Sequence, residues 1–566
     1  MKIAVAQMGP VTGDLEGNTD RIVEFIRRAR RRDCDLIVTP ETAITGYMSC
    51  DLLEVPEYVR RNKELLMTRI RPEVVGLAAA VGFVDYEEAG GSGAKLYNAA
   101  ALIQDAEILG VAHKRNLCRY RFFDETRYFV PGRETIVREV RVGESSVRVS
   151  PIICEDLWEE AYPVSPYTEA AEAGAELVVV LNASPFESGK WELRTRLIRQ
   201  HQDRHPLPIV YANTTGIGDD LKDIILFDGR SMVFDGGGEM VNCAPMFEEQ
   251  LSVVELDEEL RGEPSGGTAG DVTEELHQAL TFGLREYCAQ SGFDEVVIGV
   301  SGGVDSALCA ALAADALGPD RVLGVSMPSR HSSQETRSDA EKLCSGLGVR
   351  YREFPIEDLY GAILDRFEDR IGIERSVTRE NFQARLRGLL LMGISNETDR
   401  MVVATGNKTE LGLGYCTLYG DMVGGMLLIG DLNKMQVYEL ARHLNERVLD
   451  NPIPASVLER VPTAELADEQ EDPFDYPVVA PLIDDIIARH GPEHLVERFR
   501  ARALGEGYPE DVYERYDEES FREVLTDTYN RYRHSAFKRA QCSPIVIVSG
   551  RALGFDLRET IINRWG

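Results

Sequence analysis

Apolar and polar positions follow two rhythms along the chain. Over residues 1–256, short apolar runs at Ile3–Gln7, Asp35–Thr39, Leu77–Val84, Ala99–Gln104, Val147–Cys154, Leu177–Asn182 and Ile209–Asn213 predict buried strands. Between them Asn18–Arg32, a segment around Ser165–Ala173, and Lys190–Arg204 carry the three-to-four-residue spacing of amphipathic helices. This alternation predicts α/β layering. Around Glu258–Val272 the pattern loosens into Gly, Pro and Ser, which marks a linker. The expected division is a domain over 1–258, a linker over 259–271 and a second domain over 272–566.

The second half opens with Asp271-Val-Thr-Glu-Glu-Leu, a helix start with a capping residue and an acidic first turn. Val296–Val300 then predicts a short buried strand. Ser301-Gly302-Gly303 predicts a tight turn, and Val304, Leu308, Ala311 and Leu312 have helical spacing. Val322–Met327 reads as a second buried strand, ending in Pro328-Ser329-Arg330-His331. Asn381 opens a helix carrying Arg385 and Arg387, and Met401–Glu410 repeats strand, turn and helix.

Composition narrows the function classes. At 566 residues and 43% hydrophobic content, the chain predicts two to four globular domains. No apolar run has membrane-spanning length, and Met1-Lys-Ile-Ala-Val lacks a signal-peptide pattern. The ten cysteines are scattered without a Cys-x-x-Cys pair, which points to reduced thiols in a cytoplasmic protein. A net charge of −33 argues against nucleic-acid or anionic-membrane partners. A salt-adapted or a GC-rich source would both give this acidic, arginine-rich composition. Only ten lysines occur, and Lys114, Lys190, Lys408, Lys434 and Lys538 all fall inside the motifs below.

The strand–Gly turn–helix at 296–308 is an anion site by construction. Outward backbone N–H groups and the helix dipole favour negative charge, and glycine lets a phosphate approach. Ser301, Gly302, Gly303, Val304 and Ser306 are its candidate phosphate contacts. Asp305 would repel phosphate unless a cation lay between, so Mg²⁺ is expected there, with Glu410 as a second hard oxygen ligand. In the first half, Glu41, Lys114 and Cys154 each stand at a strand end, where α/β sites gather. A cysteine nucleophile needs a base, which Glu41 can supply. The developing oxyanion needs positive charge, which Lys114 can supply. Taken singly, each has an ordinary structural explanation.

Together, Pro40-Glu41 with Gly46-Tyr47, His113-Lys114, Ile153-Cys154-Glu155-Asp156, Tyr97-Asn98-Ala99 and Asn182-Ala183-Ser184-Pro185 resemble the nitrilase (carbon–nitrogen hydrolase) superfamily. The resemblance implies an α-β-β-α sandwich with a Glu-Lys-Cys triad, and suggests Glu125 as a second acid positioning substrate and ammonia. Lys190 is a candidate partner for a glutamine carboxylate. Tyr47, Tyr120, Trp158 and Ser184 are candidate pocket walls, each equally compatible with plain packing. Ser-Gly-Gly-Val-Asp-Ser resembles the pyrophosphate loop of ATP pyrophosphatases, which implies ATP as the ligand of Ser301, Gly302, Gly303, Val304, Asp305 and Ser306, with Arg330, Thr405 and Lys434 (or Lys408) as further ATP contacts. Thr405–Glu410, Gly414–Gly425 and Met327-Pro-Ser-Arg-His-Ser-Ser resemble NAD⁺ synthetase, as do Pro462–Leu466 and Phe537-Lys538-Arg539. The whole chain is thus similar to the glutamine-dependent NAD⁺ synthetases.

That resemblance implies a doubly wound parallel-sheet, Rossmann-like second domain. It also implies glutamine, Mg²⁺-ATP and deamido-NAD⁺ as substrates. Asn381, Arg385, Arg387, Glu410, Asp421 (a buried carboxylate) and Lys538 are its deamido-NAD⁺ contacts, with no prosthetic group and a homo-oligomeric assembly. Cys154 would free ammonia from glutamine, and ammonia would reach an adenylated nicotinate by an internal tunnel. Two departures stand out. Leu117-Cys118-Arg119-Tyr120 replaces the more usual Leu-Pro-Asn-Tyr, which bears on the glutamine mouth. Glu469-Gln-Glu-Asp-Pro-Phe-Asp is unusually acidic, with Asp472 its functional candidate. Other readings stay open: a different ATP pyrophosphatase (an asparagine synthetase would need a cysteine at the second position, where Lys2 stands), a nitrilase-type hydrolase with a nucleotide-sensing rear half, or an acidic scaffold.

Overall fold

A computed structural model describes residues 1–89, 93–265, 270–463, 465–467, 472–505 and 507–561. The acidic Glu469–Glu471 and Ala464 of the Pro462–Leu466 motif lie outside the described residues. The chain forms two units: Met1–Asp220 with Ile225–Gly270, and Leu221–Ile224 with Asp271–Gly566.

In the first unit, period-2 burial on both faces builds two six-stranded sheets. One runs Gln250–Glu255, Lys2–Gln7, Leu36–Val38, Ala78–Ala89, Gly93–Gln104, Glu107–His113. The other runs Met240–Cys243, Met232–Phe234, Ile209–Asn213, Leu177–Asn182, Ser145–Ile153, Arg138–Val142. Ile3, Val5, Leu36 and Val38 of the first sheet pack against Val149, Ile153, Leu177, Val179 and Leu181 of the second in one core. The alternate residues Ala4, Ala6 and Ile37 face the helix Leu15–Arg30 through Ile22, Phe25 and Ile26. Val178 and Val180 face Leu197 and Ile198 of the helix Lys190–Arg204. The result is the expected α-β-β-α sandwich. Each buried aliphatic side chain contributes about 1.5–3 kcal/mol to it.

Two features lie beyond what the apolar pattern predicts. The first strand pairs antiparallel with Gln250–Glu255, with Lys2 opposite Glu255. The Ala78–Ala89 and Gly93–Gln104 strands extend well past their apolar segments as a hairpin, with Ala78 opposite Gln104.

In the second unit the helix Val272–Ser291 is capped by Asp271, whose side chain accepts from Thr273 N, and it has Glu274 and Glu275 in its first turn. The strands Val296–Gly299, Val322–Ser326 and Arg350–Glu353 run parallel to one side. Met401–Ala404, Met426–Leu427 and Ile545–Ile547 continue the parallel sheet on the other. The sheet is doubly wound, and its order reverses between Val296–Gly299 and Met401–Ala404. A crevice for ligands opens beyond the carboxyl ends of strands at such a switch point. The helix bearing Arg385 and Arg387 spans Ser376–Thr398, so Asn381 lies inside it rather than opening it. Among the described residues, no helix is long and apolar enough to cross a membrane.

Candidate active sites

Three strand ends in the first unit deliver Glu41, Lys114 and Cys154 to one buried point. Lys114 Nζ donates to Glu41 Oε1 at 2.8 Å and to Glu125 Oε1 at 2.8 Å. Asn98 Nδ2 donates to the same two oxygens, at 2.7 and 3.1 Å. Glu41 Oε2 accepts from Ala183 N at 2.8 Å. Glu125 accepts from Tyr47 OH at 3.1 Å and, through Oε2, from Cys118 N at 2.7 Å. Every carboxylate oxygen here has a donor, as buried charge requires.

Burial lifts the Glu41 carboxyl above its usual range, Lys114 opposes the shift and Glu125 reinforces it. Burial also works against the Lys114 charge, but the field of Cys118, Glu125 and Glu41 outweighs it and holds the ammonium. Burial and the nearby Glu41 charge push the Cys154 thiol well up, against Lys114. The thiol therefore keeps its proton at rest, beside a carboxylate tuned toward accepting one.

Cys154 follows the Ser145–Ile153 strand at φ +46°, a left-handed conformation that few side chains adopt, and begins the single turn Cys154–Leu157. Asp156 ties this turn to the lysine segment. Its Oδ1 accepts from Arg115 N and Asn116 N at 2.9 and 2.8 Å, and its Oδ2 from Ile153 N at 3.2 Å. Burial nonetheless pushes its carboxyl up to about 7.

Around this array, Tyr47 packs edge-on against Phe123 and Phe227. Tyr120 is exposed, and its OH donates to Glu155 Oε2 at 3.1 Å. Cys118, where the family more often has proline, is buried and donates its thiol to Glu155 Oε2 at 3.4 Å, so it forms wall rather than mouth. Trp158 packs half-buried against the sheet–helix core. Ser184 is buried, and its Oγ accepts from Arg194 Nε at 3.1 Å. Lys190 lies 3.8 Å from Glu187, and burial followed by Arg194 pulls its ammonium down to about 8.

Two residues that no strand-end rule would find carry much of this geometry. Asn98 bridges both carboxylates from within a strand. Arg194, fully buried, grips Asp228 with two bonds at 2.9 and 2.8 Å and donates to the Ser184 and Pro185 carbonyls at 2.9 and 2.8 Å.

In the second unit a cavity of about 310 Å³ lies at the switch point, lined by 299–306, Thr405, Glu410, Asp421, Lys434 and Asp472, among others. Gly302 has φ +86°, and a Cβ there would lie 2.3 Å from Thr336 O, so the turn admits only glycine. Ser301 and Ser306 bond each other at 3.2 Å, and Gly303 N donates to Ser301 Oγ at 3.2 Å. Asp305 Oδ2 accepts from Lys434 Nζ at 2.5 Å and its Oδ1 from Asn407 Nδ2 at 2.8 Å. Lys434 also reaches Glu410 Oε1 at 3.3 Å. Burial and then Asp305 push Glu410 up to about 8, against Lys434. Two hard carboxylates thus converge on one cation position, a donor set that suits Mg²⁺.

The remaining candidates divide. Arg387 lines the cavity, donates to Met327 O at 3.0 Å and is drawn down to about 10 by burial. Asp421 lines the cavity and is accessible from it, with Oδ1 accepting from Thr417 N at 2.6 Å, while the protein packed around it desolvates the carboxyl and pushes it up to about 6. Arg330 is exposed and forks onto Glu357, away from the lining. Asn381 accepts from Thr417 Oγ1 at 2.9 Å, and Arg385 donates to Leu418 O at 3.1 Å. Lys538 holds the Gly414 and Cys416 carbonyls at 2.7 Å each. These last three brace the Gly414–Gly425 run from outside the lining. Lys408 is enclosed by Asp431 and Asp484 at 3.1 and 3.0 Å, which leaves Lys434 as the cavity's lysine.

Comparison with known proteins agrees with both halves. The carbon-nitrogen hydrolase family model matches residues 2–263 and the NAD synthase model residues 276–542. A glutamine-dependent NAD(+) synthetase of Thermotoga maritima is 36% identical over 603 aligned residues, covering 100% of this chain and 99% of the relative. One from Synechocystis is 36% identical, covering 99% and 98%. The structure of the Acinetobacter baumannii glutamine-dependent NAD+ synthetase in complex with ADP superposes with a TM-score of 0.76 at 32% identity, covering 100% of this chain and 99% of that one. With full-length relatives at this level and both family signatures in order, the chain belongs to the glutamine-dependent NAD(+) synthetases.

Proposed function

We propose that the chain amidates deamido-NAD⁺ to NAD⁺, using ATP and ammonia taken from glutamine, with the residues above in these roles. Cys154 Sγ attacks the glutamine side-chain carbonyl while its proton passes to Glu41. Lys114 offsets charge on the carbonyl oxygen. Glu41 returns the proton to the departing nitrogen, leaving a thioester and ammonia. Water activated by Glu41 then frees glutamate. Glu125, tied to Lys114, Asn98 and Tyr47, positions the amide, and Lys190 pairs with the substrate α-carboxylate.

In the second unit the nicotinate carboxylate attacks the α-phosphorus of ATP, pyrophosphate leaves, and ammonia displaces AMP. Ser301, Gly303 and Ser306 bind the pyrophosphate, and Lys434 neutralises it. Asp305 and Glu410 would hold Mg²⁺, which supplies charge neutralisation at the phosphate oxygens. Lys434 then turns from the carboxylates to the phosphate.

The observation that carries the reading is the closed Glu41–Lys114–Glu125 array beside a left-handed Cys154. The test is NAD⁺ formation by wild type and Cys154→Ala, each with glutamine or ammonium chloride. The variant should lose only the glutamine reaction. Retained glutamine activity would remove Cys154 as nucleophile, and no NAD⁺ from either donor with either protein would sink the synthetase reading.

A further inference from the structure

Away from both sites, three helices of the second unit bring four titratable side chains together. Glu274 and His277 stand one turn apart on Val272–Ser291, and His443 ends Lys434–His443. Asp315 lies near the end of Val304–Leu317. One ligand-type atom from each of Glu274, His277 and His443 lies within 4.8 Å of the others. His443 Nε2 is 2.8 Å from Glu274 Oε2, and His277 Nδ1 is 3.8 Å from Glu274 Oε1.

The state of His277 is what makes the cluster informative. Its Nε2 is 2.7 Å from Asp315 Oδ2, a carboxylate that only accepts. Nε2 therefore carries the hydrogen, and in the neutral ring Nδ1 is left with a lone pair. That Nδ1 is buried, in a residue 7% exposed, and has no hydrogen-bond partner. It faces Glu274 Oε1 at 3.8 Å, an oxygen that accepts from Gln278 Nε2 at 2.7 Å and keeps a second lone pair, so in the neutral ring no proton lies between Nδ1 and the carboxylate. A cation in that gap satisfies both. The carboxylate–imidazole pair behind it is the arrangement that orients metal-ligating histidines and fixes their tautomer.

We propose that Glu274, His277 and His443 bind a divalent transition ion of the Zn²⁺ class. His277 Nδ1, His443 Nε2 and a Glu274 oxygen are the ligands; the hydrogen that His443 Nε2 shares with Glu274 Oε2 moves to Nδ1 of the same ring as the ion takes its place, water completes the shell, and Asp315 is the orienting acceptor. Two imidazoles and one carboxylate suit Zn²⁺ and disfavour Mg²⁺. The site has a place in the architecture. The helices Val304–Leu317 and Lys434–His443 are already joined in their first turns by the 2.5 Å Asp305–Lys434 pair. About 14 Å further along each helix, at 1.5 Å per residue, the ion ties their far ends through the helix Val272–Ser291.

The test uses the full-length protein, stripped with a chelator and titrated with Zn²⁺ by calorimetry and with Co²⁺ by visible absorption. Expected are one equivalent bound, a rise in Tm with Zn²⁺ but not with Mg²⁺, and a Co²⁺ d–d band without a sulfur charge-transfer band. His277→Gln and His443→Gln should each weaken binding at least tenfold, and Asp315→Asn about tenfold. His331→Gln should leave it unchanged. Because His277 is buried, Glu274→Gln, at a side chain 39% exposed, gives an independent ligand deletion that tests the site without disturbing the core. Binding that survives the His443 and Glu274 variants, a thiolate-type Co²⁺ spectrum, or no binding at all would overturn the proposal.

Discussion

At Lys114 an ammonium stands 2.8 Å from each of two carboxylates, Glu41 and Glu125. At Lys434 another stands 2.5 and 3.3 Å from Asp305 and Glu410. The motif is the same and its surroundings differ. In the first unit Asn98, Tyr47 and the N–H groups of Ala183 and Cys118 fill the remaining lone pairs, and the three side chains are 0–4% exposed. Around Lys434 the carboxylates are 18–20% exposed, only Asn407 supports Asp305 among the described donors, and the group borders a cavity. The first array is finished before substrate arrives, as proton transfer to and from a small amide demands. The second leaves its two acids partly open at the edge of a cavity, an arrangement that can still exchange partners.

This contrast breaks most sharply at Glu41. Glu41→Gln removes the proposed base and should cut glutamine-dependent NAD⁺ formation about 10³–10⁴-fold, leaving the ammonium-chloride reaction intact. A loss of both would mean that the first array also supports the second unit. Next in size is Arg194→Met, which leaves Asp228 buried and unpaired and should destabilise the first unit by about 3–5 kcal/mol in denaturant melts. Lys434→Met should lower synthesis from either donor about 10²–10³-fold while glutamine hydrolysis continues. Equal loss of hydrolysis would erase the distinction between the two arrays. Gly302→Ala forces a left-handed alanine against Thr336 O and should cost about 1–3 kcal/mol, read as a lowered Tm with weakened ATP binding.

The smallest effect is a pH dependence. Lys190 loses its charge as pH rises through about 8, so the KM for glutamine should climb above that pH while kcat holds. A flat KM would remove Lys190 from the substrate carboxylate.

Much of this was legible because Glu41, Lys114 and Cys154 each end an apolar run, and a run's end is visible in the pattern. The Ser301-Gly302-Gly303 turn was equally legible, since Gly302 has one physical reason to be glycine. Side-chain direction was not. Arg330, Asn381 and Lys538 lie in motifs around the second unit's cavity, yet they turn to Glu357, Thr417 and two carbonyls, and residue spacing carries no signal for that. Arg194 sits on an amphipathic helix beside arginines that face solvent, and only the fold places Asp228 against it. The pairing of Lys2–Gln7 with Gln250–Glu255 joins segments from opposite ends of a unit, and neither strand's own pattern names its partner.

The φ of +46° at Cys154 also has a consequence for how this protein can lose its function. Left-handed backbone suits glycine and asparagine and burdens most other residues. The chain therefore carries a local strain at its proposed nucleophile, and a Cys154→Gly change releases it. The Cys154→Gly variant should melt above the Cys154→Ser variant, which keeps the strain, and equal melting temperatures would refute this. Selection for stability alone would therefore favour glycine over cysteine at this position.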